Sequence, residues 1–291
     1  MGNSKAKGHI FALITACAWG TSFIVSKELL HSVTAIQLIW VRFIIGYIAL
    51  WILYPKWSFK LREEGLFFLA SLFSNTLYFI CENTGLKYTQ SSNVSILTST
   101  IPIMTALILF FMGKEKLSKK RTLGIIIALM GVVLTVLNGA FYLKLNPLGD
   151  LLALMAAVCW SVYSILMGDR VGRYNSFLLS RKLMFYGILA MTPIMLLTDG
   201  VPNVSAVVAG AGIWGFLYLG LICSAACYVL WNIAMRELGI MTLNIYLYSM
   251  PIFTLIAGTA FLHEKITPVG ITGMVLVCAG MILGNRQEET K

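Results

Sequence analysis

Charge is scarce in this chain. Of 291 residues, 12% are charged and 58% hydrophobic, and mean hydropathy is +0.83. That balance lies outside the range of an ordinary soluble domain, and no polar stretch is long enough to fold separately. The formal net charge of +10 does not read as a nucleic-acid footprint, because the cations cluster in short segments between apolar runs. Phosphate-loop chemistry is missing too: Gly113-Lys114 is followed by Glu115, so G-x-x-x-x-G-K-[ST] does not occur. There is no H-E-x-x-H, and His9, His31 and His263 stand far apart. With no catalytic constellation in view, we expect no enzyme activity, no metal and no cofactor. Cys17, Cys81, Cys159, Cys223, Cys227 and Cys278 all lie inside apolar runs without disulfide or metal spacing, and read as packing residues.

What is present is a series of long apolar runs. A bilayer core of about 30 Å needs roughly 20 apolar residues per helix. Ten such runs lie near 9–27, 34–54, 66–86, 92–112, 121–139, 148–167, 177–197, 213–234, 242–262 and 267–285. Lys5 and Lys7 with ITAC at 14–17 resemble a cleaved leader, but the apolar stretch ahead of Cys17 is short and many spans follow, so an uncleaved first helix is expected. With an even number of spans both termini share a side. If that side is the cytoplasm, the inner segments hold Lys5, Lys7, Lys56, Lys60, Arg62, Lys114, Lys116, Lys119, Lys120, Arg121, Arg170, Arg173, Arg236, Arg286 and Lys291, and the outer ones only Lys27, Lys87, Lys144 and Lys265. We therefore expect a multi-pass protein of the cell membrane with both termini cytoplasmic. Trp51, Trp57 and Trp214 suit an interfacial belt.

The stretch GKEKLSKKRTLG at 113–124 returns as LHEKITPVGITG at 262–273 with its cations removed. The first copy joins spans four and five and the second spans nine and ten, so they lie on opposite sides, and basic residues are kept only on the inner one. A shift of 149 residues carries Pro102 to Pro251, Glu115 to Glu264, Gly124 to Gly273 and Gly131 to Gly280, and a shift of 141 carries Trp19 to Trp160. The pattern predicts an all-α integral membrane protein of ten transmembrane helices, built as two inverted five-helix repeats over residues 1–140 and 141–291. Such halves can exchange conformations around a central cavity, as in secondary transporters, although duplication alone also yields a larger membrane protein.

ALITACAWG with ALMAAVCWS, VRFIIG, STIPIMT with YSMPIFT, and GKEKLS with LHEKIT together resemble the EamA-type members of the drug/metabolite transporter superfamily over nearly the whole chain. The resemblance implies a ten-helix transporter of amino acids, nucleotide-related metabolites or amphiphilic drugs, often directed outward.

Ionisable groups inside a span are costly and default to functional hypotheses. Arg42 and Glu82 lie at similar depths, where a pair would lower the cost of both charges. The plainer readings are a structural tie for Arg42 and an interfacial residue for Glu82. Glu82 is the proton-coupling candidate; its counterpart in the second half, near Asn232, cannot titrate. Arg181 and Lys182, matching Arg42 in the other repeat, are expected to snorkel. Pro102 and Pro251 fall near mid-span, where each frees a carbonyl and marks a kink or a cavity wall. Asn93 and Asn244 add uncharged hydrogen-bonding groups to a substrate site or serve as interhelical ties. Trp19, Trp40, Tyr78, Trp160, Tyr163, Tyr228 and Tyr248 can supply an aromatic binding surface, or simply pack. Small residues, with Gly124 and Gly131 on one face of span five, read as close helix contacts.

The expectation is a secondary transporter, in the direction of export, for small organic metabolites such as amino acids or related zwitterionic solutes, working by alternating access with protons as candidate coupling ion. An exporter of drugs or lipid-like amphiphiles is the alternative, and a passive channel a distant one. Expected partners are a small-molecule substrate and membrane lipid but no nucleic acid, with monomer and homodimer both compatible.

Overall fold

The computed structural model describes residues 2–56, 58–89, 91–114, 118–137, 146–168, 170–203, 205, 207, 210, 212–262 and 267–285. Among these, all regular structure is helical. Eight helices are long and apolar enough to cross a membrane. They include α1 (Gly2–Leu29), α2 (Ala35–Leu53), α3 (Leu61–Tyr88), and α4 in two pieces, Ser91–Thr98 and Ile101–Phe111. In the second half stand α6 (Pro147–Gly168), α7 (Ser176–Thr198), α8 (Gly212–Leu238) and α9, which runs from Ile240 to Leu262. Two more, α5 (Lys119–Leu137) and α10 (Pro268–Asn285), complete the ten apolar runs of the sequence. The fold is helical because hydrocarbon offers no water to the backbone, so each N–H and C=O must bond within its own segment. Helix ends are fixed locally. Thr34 and Gln37 form a reciprocal capping box at the start of α2, Asn175 caps α7, and Gly239 at φ 76° turns the chain sharply between α8 and α9.

Helix α3 begins several residues before the apolar run that announced it. Glu63 and Glu64 occupy its first turn, where the positive end of the helix dipole favours carboxylates, and Glu64 accepts the Lys60 N–H at 3.1 Å. This early start brings Glu64 into the bundle.

The two halves meet in a pattern that is unchanged when they are exchanged. Helix α1 packs on α8 and α9, while its counterpart α6 packs on α3 and α4; α2 packs on its own counterpart α7, and α5 on its counterpart α10. The α5–α10 seam shows the relative direction. Gly124 faces Gly280 and Gly284, Gly131 faces Gly273 and Val277, and Thr135 faces Gly273. Rising numbers on one helix meet falling numbers on the other, so equivalent helices run antiparallel and the halves are inverted. The boundary expected at 140/141, the Glu115-Lys116 and Glu264-Lys265 turns, and Trp57 lie outside the described residues.

Irregular backbone is repeated as well. Wide π-type turns occupy Leu72–Leu77 of α3 and Tyr218–Ala226 of α8. Helix α4 breaks at Ser99–Thr100 and restarts at Ile101, and α9 passes through a 3-10 segment, Ile245–Ser249, before restarting at Met250. Pro102 and Pro251 are therefore second residues of new helices rather than kinks within one, a position where the missing N–H costs little.

A Cβ at Gly131 would stand 2.5 Å from the Val277 nitrogen and 2.7 Å from the Gly273 oxygen, whereas nothing lies within 4 Å of one at Gly65. Gly131→Ala should therefore cost about 1–3 kcal/mol by overpacking, read as a lower unfolding temperature in detergent, while Gly65→Ala should leave it unchanged or raised.

Candidate functional site

Trp19 of α1 and Trp160 of α6, equivalent residues of the two repeats, meet edge to face with ring centroids 5.1 Å apart. Tyr78 lies 5.1 Å from Trp160, while Trp231 and Tyr228 lie 5.0 Å and 5.9 Å from Trp19. Trp19, Tyr78 and Trp160 wall a cavity at the junction of the halves, with Trp231 and Tyr228 packed against Trp19. Ser22 and Phe23 of α1, Phe79 of α3, and Leu247 and Met250 of α9 contribute to its lining, as does Ile101 of α4. Ile101 and Met250 immediately precede the two prolines, so the broken backbone of α4 and α9 borders the cavity.

Two charges enter this space, Arg42 from α2 and Glu82 from α3. Both are buried. The Tyr78 hydroxyl, one turn earlier on α3, donates to the Glu82 carboxylate. Arg42 donates from Nε to Ser224 Oγ at 2.9 Å, and its guanidinium carbon lies 4.6 Å from the centre of the Phe79 ring. The two groups share a cavity but make no direct ion pair within 4.0 Å, because each is held by a different neighbour. Their formal charges cancel. The arrangement offers an acceptor and a donor at separate points of an aromatic chamber, which suits a solute with both a cationic and an anionic end.

The repeat is not copied at this point. Tyr228 and Asn232 stand where the first half has Tyr78 and Glu82. Tyr228 donates to Asn75 Oδ1 at 2.7 Å, and Asn232 accepts from the Tyr163 hydroxyl at 3.1 Å while donating to Ser180 Oγ at 3.0 Å. Tyr163, Asn232 and Ser180 thus form one bonded chain, and Tyr228 is tied separately to Asn75. The indoles differ in the same way. Trp19 Nε1 donates to the Cys223 carbonyl at 2.9 Å, while Trp160 Nε1 has no partner among the described residues.

Other residues singled out in the sequence are placed elsewhere. Trp40 donates to Thr192 Oγ1 at 3.0 Å, joining α2 to α7. Asn244 donates to Thr105 Oγ1 at 2.9 Å, joining α9 to α4. Tyr248 is buried in an apolar cluster with Ala106, Ala128, Val132 and Val277. None of the three lines the cavity, because each faces a neighbouring helix. Asn93 falls in the Ser91–Thr98 helix, and its side chain lies outside the described residues.

Sequence reasoning missed Glu64. It pairs with Lys182 of α7, accepts the Tyr186 hydroxyl at 2.7 Å, and with Arg181 lines a second cavity walled by Tyr47, Phe59, Phe185 and Tyr186. Arg181 and Lys182 do not snorkel; both are buried, Lys182 on Glu64 and Arg181 on the carbonyls of Tyr54 and Lys56. The signal available in sequence was the match of Arg181 to Arg42.

Tyr78→Phe removes the hydroxyl that solvates the Glu82 carboxylate, at an expected cost of about 1.5–3 kcal/mol. Glu82→Gln in the same chain should relieve most of that loss, a coupling read from a double-mutant cycle of thermal unfolding.

The profile of the EamA-like transporter family matches the chain twice, over residues 6–137 and 147–286. Similar proteins include an uncharacterized transporter of Archaeoglobus fulgidus, 26% identical over 285 residues that cover 96% of this chain and 97% of that one. Another is the uncharacterized transporter YoaV of Bacillus subtilis, 23% identical over 270 residues covering 91% and 92%. A crystal structure with 18% identity superimposes with a TM-score of 0.78 over 96% of both chains, a likeness of fold. A duplicated five-helix unit, ten apolar helices and a cavity at the junction of inverted halves agree with the doubled profile match: the chain belongs to the EamA-like transporter family and is a multi-pass membrane transporter.

Proposed function

We propose that this transporter is a secondary carrier of the cell membrane, with both termini in the cytoplasm, that exports small zwitterionic or amphiphilic organic solutes such as amino acids by alternating access. The observation that carries this reading is the central cavity itself. One carboxylate and one guanidinium stand in an aromatic box where the two inverted halves meet. An ammonium end of the solute is served by Glu82 and the surrounding ring faces, and a carboxylate end by Arg42 and the Trp160 N–H. The inversion provides the movement, since two similar halves of opposite sense can exchange conformations about a site near the midplane. The orientation rests on the distribution of Lys and Arg, which crowds the loops on the side of both termini.

Protons are the coupling ion in this reading. Glu82 has no titratable counterpart in the second half, where Asn232 stands, so a single carboxylate alternately holds a proton and faces the solute. The second reading, export of drugs or lipid-like amphiphiles, draws on the rings of Trp19, Tyr78 and Trp160, which accept bulky apolar cations as readily as amino acids.

In proteoliposomes, Glu82→Gln should abolish uptake driven by a pH gradient and, because the same carboxylate serves the ammonium end of the solute, slow exchange of solute for solute. An unchanged pH response would remove Glu82 from the coupling step. Stabilisation of the purified protein by quaternary amines and not by amino acids would favour the second reading, because only a ligand that binds the folded state raises its apparent stability.

A further inference from the structure

The second cavity lies at one end of the bundle, where α2 finishes and α3 and α7 begin, and its charge does not cancel. Glu64 and Lys182 neutralise each other, and Glu64 is saturated by Tyr186 and the Lys60 N–H. Arg181 is left over. It is 2% exposed, donates to two backbone carbonyls and lies 3.9 Å from the centre of the Trp51 ring. Among the described residues no carboxylate stands within 4.0 Å of it. A guanidinium has five N–H donors, so most of its capacity beyond the two carbonyls remains open. The lining thus carries one uncompensated positive charge, whereas the central cavity carries none. A buried charge without a counter-ion is expensive, and an anion supplied from outside lowers that cost.

The surroundings indicate the kind of anion. Lys56, Lys60 and Arg62 are exposed on the segment that carries Phe59 and Glu64, and among the described residues only Lys60 of the three has an acidic partner within 4.0 Å, Glu63 at 3.6 Å. The walls are largely aromatic, and the adjoining surface is apolar: Phe59, Ile52, Leu53 and Leu61 are all exposed. Position at the helix ends sets the cavity at the level of lipid headgroups, and basic pockets between transmembrane helices suit anionic headgroups. A soluble anion would use the cations but leave the apolar flank uncovered. We propose that the cavity between α2, α3 and α7 binds an anionic phospholipid. Its phosphate lies against Arg181 and the cations flanking Phe59, and an acyl chain descends past Phe59 along Ile52 and Leu53. The site draws on both repeats, so an occupied cavity ties the end of α2 to α7.

The test uses the full-length protein purified in detergent and titrated separately with phosphatidylglycerol, phosphatidylcholine, inorganic phosphate and glycerol phosphate. Bound adducts are counted by native mass spectrometry, with thermal unfolding in parallel. Phosphatidylglycerol should be retained and should raise the unfolding temperature, while phosphatidylcholine and the two soluble phosphates should do neither. Arg181→Gln should weaken phosphatidylglycerol binding roughly tenfold, equivalent to about 1.4 kcal/mol. Because Arg181 also holds the end of α2, Phe59→Ala and the Lys56→Ala/Lys60→Ala pair, all at exposed positions, give the answer if that variant does not fold. Equal retention of phosphatidylcholine, full stabilisation by free phosphate, or binding unchanged in the exposed-site variants would each overturn the assignment. None of these outcomes depends on transport activity.

Discussion

Hydrocarbon cannot solvate a charge or a free backbone carbonyl, and the architecture follows from that limit. Regular helix disposes of the backbone, so every departure from it needs a partner in protein or a cavity. The departures fall in counterpart places: wide turns in α3 and α8, restarts in α4 and α9. Ile101 and Met250, at the two restarts, line the central cavity. The same limit disciplines charge. Glu82 is held by Tyr78, Arg42 by Ser224 and Phe79, Glu64 by Lys182 and Tyr186. A buried ion pair is poor evidence of stability, but removing one partner is strongly destabilising, so these groups constrain one another.

Duplication supplied two copies of one framework, and substitution then differentiated them. Trp19 and Trp160 still meet at the centre, and Tyr78 and Tyr228 still occupy matching turns of helix. With Asn232 where the first half has Glu82, one flank of the centre is a bonded support, with both ends of the amide in use. The matching arginines diverged by environment rather than identity. Arg42 shares its chamber with a carboxylate, while Arg181 braces the end of α2 beside an ion pair that is already complete.

Most of the architecture was legible in the sequence because membrane helices announce themselves by length and apolarity, and an odd number of spans per repeat dictates inversion. The glycine face of α5 was legible too, since spacing alone puts Gly124 and Gly131 together. The site was legible only in part. Trp19, Arg42, Tyr78, Glu82 and Trp160 could be singled out by depth and repeat position. Trp40, Asn244 and Tyr248 had the same credentials, yet turn toward neighbouring helices. Composition gives the depth of a residue but not its rotation about the helix axis relative to partners distant in sequence. Glu64 was passed over for the opposite reason: hydropathy placed it in a loop, and the partners that permit its burial, Lys182 and Tyr186, are remote in the chain.

The α5–α10 seam has a mechanical corollary. Where glycine backbone lies directly on glycine backbone, there are few protruding pegs to interlock, so the two rods resist separation but oppose swivelling only weakly. A joint of that kind lets the two rods turn on each other without any knob having to leave its hole.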